Sequence, residues 1–529
     1  MRLAWFSPMP PVSSGIAACS AQLVAALASE HHIDLFVDEP VAKMTAARDS
    51  GSAPLRSAHE FLWKHRAEPY DLTVYQVGNS SHHDFLWPYL FRFPGLTVLH
   101  DAHLHHARAA ALLRTKRAAD YRAELVANHP AVSPDLAELA IAGFDSHLYY
   151  SWPMTRLVIQ ASRMSAVHTS SLAAALNADT PGARVESIRL GHGQLFLDEE
   201  VAEARRRVRS TRQIPDDAIV FGVFGGLTPE KRVPQVLDAL ESLIPYATGA
   251  HLLLAGAAAG HYDVAADVRR RGLESRVTMT GYLETEAELT ECIAASDVAL
   301  NLRWPTAREI SGPWLRALAA GRPTIIMDLE HLTHVPSLDP RTWTLNIGTR
   351  PPSLAAQAAR AMARPRRSRF AAEAGDSGSG TRDSAPDSDD VASGFSRKKT
   401  IREREAGSWK PEASPESRVP NPVTIAVDIM DEDHSLRLAM RRLASDPVLR
   451  ARLGAAGRAY WQREHAPERM IEDYRLLLAA AAASPVPRPT LPAHLVNDGD
   501  GLLKTLLADF GLGRPMSDAA RSAENRHTR

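Results

Sequence analysis

The sequence predicts an α/β protein built from two parallel β-sheets. Short apolar runs recur along both halves of the chain, and each is followed by turn-forming residues and an apolar pattern at helical spacing. Apolar runs without polar alternation are typical of strands buried on both faces, as in βαβ units. The predicted strands are 3–6, 72–78, 96–100, 165–170, 218–226, 251–256, 276–281, 297–303 and 323–327. Two such sheets in succession indicate two Rossmann-like domains, in which ligands bind beyond the carboxyl ends of the strands.

Residues 366–420 differ in composition from the rest of the chain. They are rich in Ser, Gly, Pro and charged residues, with almost no aliphatic side chains. Such a segment buries too little apolar surface to offset its ordering entropy, so it is predicted to be a disordered insertion in the second domain. We expect the first domain at 1–200, the second at 201–365 with 421–465, and a Pro-rich linker and tail at 485–529.

The charge and cysteine content exclude several classes of protein. The 529 residues include 61 Lys and Arg against 62 Asp and Glu, which gives a net charge of −1. A dedicated nucleic-acid-binding protein would have a basic excess. Cys19 and Cys292 alone cannot form a disulfide framework, and no apolar run reaches the 18 or so residues of a membrane span. The balanced charge therefore predicts no nucleic-acid partner. The apolar part of the first segment is too short for a secretory signal, so we expect a cytoplasmic protein.

Gly15 lies in a turn directly after the first predicted strand. The spacing of Ile16, Cys19, Leu23 and Leu27 brings apolar side chains to one face of the helix that follows. A helix N-terminus presents free backbone N–H groups and the positive end of the helix dipole, which suit a phosphate or a sugar hydroxyl. A glycine that serves only the turn is the alternative.

The segment His100-Asp101-Ala-His103-Leu-His105-His106 follows the third predicted strand. It has three interpretations. In the first, Asp101 is a helix N-cap and the histidines are ordinary polar residues. In the second, Asp-x-His-x-His opens a zinc site similar to that of amidohydrolases. In the third, His100 donates to a ligand in a cleft. The first interpretation is preferred for His103, His105 and His106, whereas the role of His100 depends on other parts of the chain.

Two cations follow a glycine-rich strand end in the second half of the chain. Gly225 and Gly226 lead through a short turn to Lys231 and Arg232, just before a predicted helix. Two cations at the end of a strand, beside a helix N-terminus, are able to neutralise a diphosphate. A charged pair on a solvated face is the alternative.

Residues 297–328 form the most specific segment. A predicted strand ends at Arg303, a loop contains Glu309, and Ser311 and Gly312 begin a helix. The N–H groups around Ser311 and Gly312 would face an anionic ligand, while Glu309 would accept hydrogen bonds from sugar hydroxyls. A purely structural cap at Ser311 is compatible with the same pattern.

In their order along the chain these segments resemble glycosyltransferase family 4, the retaining GT-B enzymes, over residues 1–365 and 421–480. The matching segments are 14–15, 98–101, 225–232, 252–256, 277–283, 295–303, 317–325 and 443–474. The resemblance implies a GT-B fold, with two domains facing each other across a cleft and a closing helix at 466–484 packed back on the first domain.

The same resemblance implies an enzyme of cell-envelope or polysaccharide biosynthesis. It would move a sugar from a nucleoside diphosphate sugar to a hydroxyl of a glycan, lipid-linked or small-molecule acceptor, with retention of the anomeric configuration. No cofactor or metal is implied, and membrane contact would be peripheral at most.

The resemblance also assigns roles to particular residues. The residues implied to hold the donor diphosphate and sugar are Gly15, Gly225, Gly226, Lys231, Arg232, Ser311, Gly312 and Arg316. Glu309 and His100 would position the donor sugar, and Asp101 would orient His100 or the acceptor. The charge that develops on the leaving diphosphate would then be met by fixed positive groups.

The chain departs from the family's pattern at several positions. The family's Glu-x7-Glu falls here on Arg308 and Arg316, and Glu309 lies one residue later in a Glu-x-Ser-Gly variant. Arginine at 316 offers no acceptor to ribose hydroxyls. Gly226 stands where the family has an arginine, so Arg232 is expected to substitute as the second cation. These departures keep open a non-catalytic GT-B protein that binds a sugar nucleotide or a partner, with a metal-dependent amidohydrolase as a third hypothesis.

Overall fold

The structure, a computed structural model, describes residues 1–12, 14–38, 53–144, 148–260, 262–346 and 421–496. The predicted insertion at 366–420 lies outside these residues, as does most of the predicted tail.

Seven parallel strands form the first sheet in the described part of the chain. They are β1 (Arg2–Phe6), β2 (His32–Val37), β3 (Leu55–Ser57), β4 (Leu72–Val77), β5 (Leu96–Leu99), β6 (Met164–Val167) and β7 (Val185–Ser187). Their order is β3-β2-β1-β4-β5-β6-β7. Successive residues of β1 enter different cores, because Leu3 and Trp5 pack on one face of the sheet while Ala4 and Phe6 pack on the other.

Helices connect these strands and cover the sheet. They are α1 (Gly15–Leu27), α2 (Phe61–Ala67), α3 (Trp87–Leu90), α4 (His105–Arg114), α5 (Ala118–Asn128), α6 (Asp135–Ile141), α7 (Leu148–Ser151), α8 (Arg156–Ala161) and α9 (Ser170–Asp179). In α1, Cys19, Leu23 and Leu27 are buried, as the spacing of its apolar residues predicts.

Eight strands form the second sheet within the described ranges. They are β8 (Ile219–Phe224), β9 (Ala250–Ala255), β10 (Val277–Met279), β11 (Val298–Asn301), β12 (Thr324–Met327), β13 (Ser337–Leu338), β14 (Leu345–Asn346) and β15 (Thr424–Val427). Their order is β10-β9-β8-β11-β12-β15-β13-β14, and the β13–β14 pair alone is antiparallel among the described pairings. Because β15 lies between β12 and β13, the chain on either side of 347–420 contributes to one sheet.

The second half of the chain contains nine further α-helices among the residues described. They are α10 (Asp198–Thr211), α11 (Val233–Leu243), α12 (Val264–Arg270), α13 (Glu286–Ala295), α14 (Gly312–Ala319), α15 (Glu432–Ser445), α16 (Pro447–Glu464), α17 (Pro467–Ala483) and α18 (Ala493–Val496).

Helix α17 lies against the first sheet and α1. Its Tyr474 stacks on Trp5, with ring centroids 5.9 Å apart, and donates a hydrogen bond of 3.2 Å to Gln76 Oε1. Arg475 of α17 pairs with Glu30, just beyond α1, at 2.6 Å. The chain therefore returns from the second sheet to the first near its C-terminal end.

The predicted α/β class with two parallel sheets is confirmed, and each of the nine predicted strands overlaps an observed one. Sequence analysis missed β2, β3, β7 and β13–β15. The amidohydrolase hypothesis required one closed barrel of eight strands, and the two open sheets contradict it. None of the helices described is both long and apolar enough to span a membrane.

Candidate active site

Loops from the two sheets meet beyond the carboxyl ends of β5, β8 and β11. The backbone N–H of Ala102, just after β5, donates to the carbonyl of Ala307, after β11, at 2.9 Å. A second bridge runs from the hydroxyl of Tyr150 to Glu230 Oε1 at 3.0 Å. The loops after the strands of the two sheets thus contact each other, and this meeting of loops, called the cleft below, lies where ligands bind in doubly wound folds.

Lys231 points back into the loop that follows β8. Its Nζ donates to the carbonyl oxygen of Phe224. Gly225 has a φ of +78°, and a Cβ there would lie 3.1 Å from Nζ, so a larger residue would be strained and crowd the ammonium. Burial and the neighbouring Arg303 lower the pKa of Lys231 to about 7, against the opposing effect of Glu309.

Arg303 is the second cation of this site, and sequence analysis did not select it. Its guanidinium pairs with Glu309 Oε1 at 2.7 Å, and Thr306 donates to the other carboxylate oxygen at 2.9 Å. The signal in the sequence was its position at the end of a predicted strand. Glu309 is 11% exposed, so its carboxylate is held in a fixed orientation inside the cleft.

Asp101 faces this cluster from the first domain. Burial and the nearby charge of Glu309 raise its pKa to about 7, although a hydrogen bond of 2.7 Å from the backbone N–H of Asn79 and the charge of Arg303 oppose the shift. Two carboxyl groups from different sheets therefore approach each other, and one of them titrates near neutral pH.

Both ring nitrogens of His100 form hydrogen bonds within the protein. Its Nε2 lies 2.7 Å from Gln76 Oε1 and its Nδ1 lies 3.1 Å from Nε2 of His168. Burial, reinforced by His168, holds its pKa well below the usual value. A neutral imidazole that donates to Gln76 and accepts from His168 satisfies this arrangement. A direct contact of His100 with a sugar stays a prediction and requires one of these bonds to be exchanged.

The N-terminus of α14 borders the same cleft. Ser311 caps it, accepting a hydrogen bond of 3.4 Å from the backbone N–H of Trp314. A Cβ at Gly312 would lie 3.0 Å from the ring of His192, and a Cβ at Gly225 would lie 3.9 Å from Pro313. The close approach of these loops brings the N-terminus of α14, the positive end of its dipole, next to the lysine loop.

Three other predicted donor residues lie in less direct positions. Arg232 has a φ of +59° and pairs with Glu432 at the start of α15, with Nε 2.8 Å from Oε1. Gly15 begins α1 behind the Ser14 cap, and a Cβ at Gly15 or Gly226 would meet open space. Roles for these residues in donor binding stay predictions.

Arg316 turns toward α13. It pairs with Glu286, donates to the hydroxyl of Thr290 at 2.6 Å and approaches Nε2 of His192 at 3.1 Å. Burial and the arginine hold the pKa of His192 at about 3, so this imidazole is the neutral acceptor. A cavity of about 520 Å³ lies beside this network, between α1, α10 and α13.

The histidine segment after β5 does not assemble a metal site among the residues described, where no group of three or more His, Cys, Asp or Glu side chains is arranged to hold an ion. His105 instead bonds to the carbonyl of Trp152 at 2.8 Å and to the hydroxyl of Tyr121 at 2.8 Å.

Solved structures of known glycosyltransferases share this architecture. Sucrose-phosphate synthase from Thermosynechococcus elongatus aligns with a TM-score of 0.51 at 14% identity, covering 90% of this chain and 99% of that chain. Alr3699/HepE of Anabaena, in complex with UDP-glucose, aligns with a TM-score of 0.52 at 13% identity, covering 91% and 100%. A glycosyltransferase from Rickettsia africae ESF-5 aligns with a TM-score of 0.53 at 10% identity, covering 91% and 98%.

The fold and the cleft thus define the GT-B class of architecture, which confirms the predicted fold class. Within that class, residues 218–363 match the family model described as Glycosyl transferases group 1, and this match supports glycosyl transfer. No curated protein matches the chain in sequence. Assignment to family 4 and the Glu-x-Ser-Gly variant stay predictions.

Proposed function

We propose that this protein transfers a sugar from a nucleoside diphosphate sugar to an acceptor hydroxyl, with retention of the anomeric configuration. The observation that carries the proposal is that Lys231 lies near Arg303 and that its loop approaches the N-terminus of α14, all inside the segment that matches group 1 glycosyltransferases. A diphosphate between these groups would face two cations and the backbone N–H groups of Ser311 and Gly312 at the start of α14.

The proposed chemistry is electrostatic. As the glycosidic bond breaks, negative charge accumulates on the diphosphate, and fixed positive groups in a closed cleft stabilise that charge without reorganisation. Lys231 and Arg303 supply this positive charge, and the proposal uses no metal ion. Arg303, rather than the predicted Arg232, takes the part of the second cation, because its charge lies close enough to Lys231 to lower the pKa of that lysine, whereas the Arg232 guanidinium pairs with Glu432 of α15.

Glu309 would position the donor sugar, and Asp101 would face the acceptor hydroxyl. The departing phosphate takes the acceptor proton, so retention follows from attack on the face that the diphosphate leaves. We propose a uridine diphosphate sugar as the donor, because Alr3699/HepE shares the fold and is described in complex with UDP-glucose. Cytoplasmic location, a role in cell-envelope or polysaccharide synthesis and a glycan, lipid-linked or small-molecule acceptor belong to the same proposal.

A thermal-shift screen with UDP-, GDP-, ADP-, CDP- and TDP-sugars tests the donor site. We expect a selective rise in Tm with UDP-sugars that persists in EDTA, because a ligand that binds only the folded state stabilises it by mass action. Transfer to an acceptor panel, followed by NMR of the anomeric proton, then tests retention. An inverted product would contradict the stereochemical proposal, and the absence of any nucleotide effect would contradict the donor site.

A nucleotide-binding protein without turnover is the second candidate. The pairing of Arg316 with Glu286 favours it, because the family's pattern has a carboxylate at 316. UDP binding with neither donor hydrolysis nor transfer across the panel would select this candidate.

A further inference from the structure

A second cavity lies apart from both the diphosphate loops and the 520 Å³ cavity beside Arg316. It has a volume of about 690 Å³ and lies between the segment after β4 and helix α4, with α18 closing one side. Its walls include the apolar faces of Trp87, Pro88 and Leu112 as well as several charged groups. Its size and mixed lining are those of a small-molecule site.

One end of this cavity reaches the proposed reaction centre. Asn79 lines it, and the backbone N–H of Asn79 donates to Asp101 at 2.7 Å. The side-chain oxygen of Asn79 accepts from the backbone N–H of Ala107 at 2.9 Å, which fixes this end of the cavity against α4. A hydroxyl held here lies beside Asn79, whose backbone N–H is one hydrogen bond away from the Asp101 carboxyl.

The other end is cationic. Arg92, Arg114 and Arg117 line the cavity near the far end of α4, and Arg108 lies deeper, with its guanidinium 4.2 Å from the ring centroid of Trp87. Against these four arginines, Asp84 is the one carboxylate that the described lining contains.

The arginines differ in how they are engaged. Arg108 is held by Glu124, with Nε 3.0 Å from Oε2, and Arg117 is held by Asp120 at 2.7 Å. Arg114 is exposed and forms no ion pair with another described residue, although its charge and that of Arg108 oppose the rise that burial causes in the pKa of Asp84. Arg114 is therefore the group most available to a ligand anion.

The two ends are separated by two turns of helix. His106 and Arg114 both line the cavity and lie eight residues apart on α4, which corresponds to about 12 Å along the helix axis. An occupant that reaches both ends must have a hydroxyl and an anionic group at about that separation.

We propose that this cavity is the acceptor site and that it selects acceptors with a phosphate ester or diphosphate about 12 Å from the reacting hydroxyl, a length of about two sugar units. The inference rests on the proposed transferase function for the identity of the reacting hydroxyl, whereas the phosphate recognition at Arg114 is independent of turnover. Two sources share this chemistry: a water-soluble oligosaccharide phosphate and a lipid-linked oligosaccharide diphosphate.

Calorimetric titration of the full-length chain in saturating UDP, which occupies the donor site, tests the proposal. One arm titrates maltose 1-phosphate against maltose, and the other titrates a polyprenyl diphosphate disaccharide in detergent micelles against empty micelles. At least one phosphate-bearing probe should bind about tenfold or more tightly than its control, and Arg114→Gln should remove that difference. Arg206→Gln, an exposed arginine on α10 outside the cavity, should leave it unchanged.

The outcomes separate this inference from the proposed function. Retention of the UDP-induced Tm rise in Arg114→Gln shows that the variant is folded with an intact donor site. Equal binding of the paired probes, or wild-type affinity in Arg114→Gln, overturns the inference even if transfer to other acceptors is observed. Phosphate binding that depends on Arg114 without any transfer supports the site and contradicts the proposed function instead.

Discussion

Replacing Lys231 by alanine is expected to abolish the rise in Tm caused by UDP-sugars and to lower kcat/KM by about 100-fold or more. The absence of a side chain at Gly225 leaves room for the Lys231 ammonium. Without this ammonium, Arg303 is the remaining cation of the site, and it already pairs with Glu309, whose negative charge repels the diphosphate. Binding measured by calorimetry and turnover measured by release of UDP should fall together, because the charge serves both the ground state and the departing diphosphate.

Lys64→Ala provides the matched control, since Lys64 lies on α2, where its charge acts on Asp34 of β2 and not on Lys231. It should leave both the UDP-induced Tm rise and kcat/KM unchanged. Wild-type UDP affinity in Lys231→Ala would show that the diphosphate does not contact this loop, and the proposed donor site would then be wrong.

The affinity of the wild-type protein for UDP should also depend on pH. The pKa of Lys231 in the free protein is about 7, and a diphosphate favours the protonated ammonium. Above pH 7, binding must take up a proton from solution, so Kd should rise by up to about tenfold per pH unit between pH 7 and 8.5. Lys231→Arg, which stays protonated throughout, should bind UDP with a flatter pH dependence.

The central strands could be predicted because they are buried on both faces and consist mainly of apolar residues without a charged side chain. Strand β2 was missed because its apolar run contains Asp34, which is buried and satisfied by Arg56 and by the hydroxyl of Tyr70. Strand β15 pairs with β12, which precedes it by 100 residues of chain, as in the pair of Ile325 and Ile425. Tertiary structure determines such distant strand pairs, and the local sequence carries no pattern that predicts them.

In the candidate site, too, some residues could be predicted from the local sequence and others depend on tertiary structure. Lys231 and Glu309 were selected from their positions after predicted strands, and Asp101 from the resemblance to glycosyltransferase family 4. The structure brings the three together with Arg303. The choice between Arg232 and Arg303 as second cation was not available from sequence. It depends on the left-handed backbone of Arg232 and on Glu432, which lies 200 residues further along the chain.

Replacing Asp101 by asparagine should stabilise the fold above pH 7 while it impairs transfer. The native carboxyl has a pKa raised from 3.8 to about 7, chiefly by burial and then by Glu309. Below pH 3.8 the carboxyl is protonated in both the folded and the unfolded state, so it does not lower the stability of the fold. The penalty grows between pH 3.8 and 7, because the unfolded state loses its proton first, and above pH 7 it is complete, on the order of 2 kcal/mol for this partly exposed group.

Asparagine keeps an acceptor for the backbone N–H of Asn79 and carries no charge, so Asp101→Asn should raise Tm at pH 8 and leave it nearly unchanged below pH 4. Removing a carboxylate beside the cationic cluster should also tighten UDP binding a few-fold, while kcat falls at least about tenfold because the acceptor hydroxyl loses its charged partner. Thermal unfolding across pH, calorimetry with UDP and transfer assays measure the three effects separately. Asp217→Asn, in an exposed loop before β8, is the control and should change none of them. An unchanged Tm at pH 8 in Asp101→Asn would mean that the carboxyl carries no penalty in the fold, whereas a gain in stability with full activity would remove Asp101 from the proposed reaction centre.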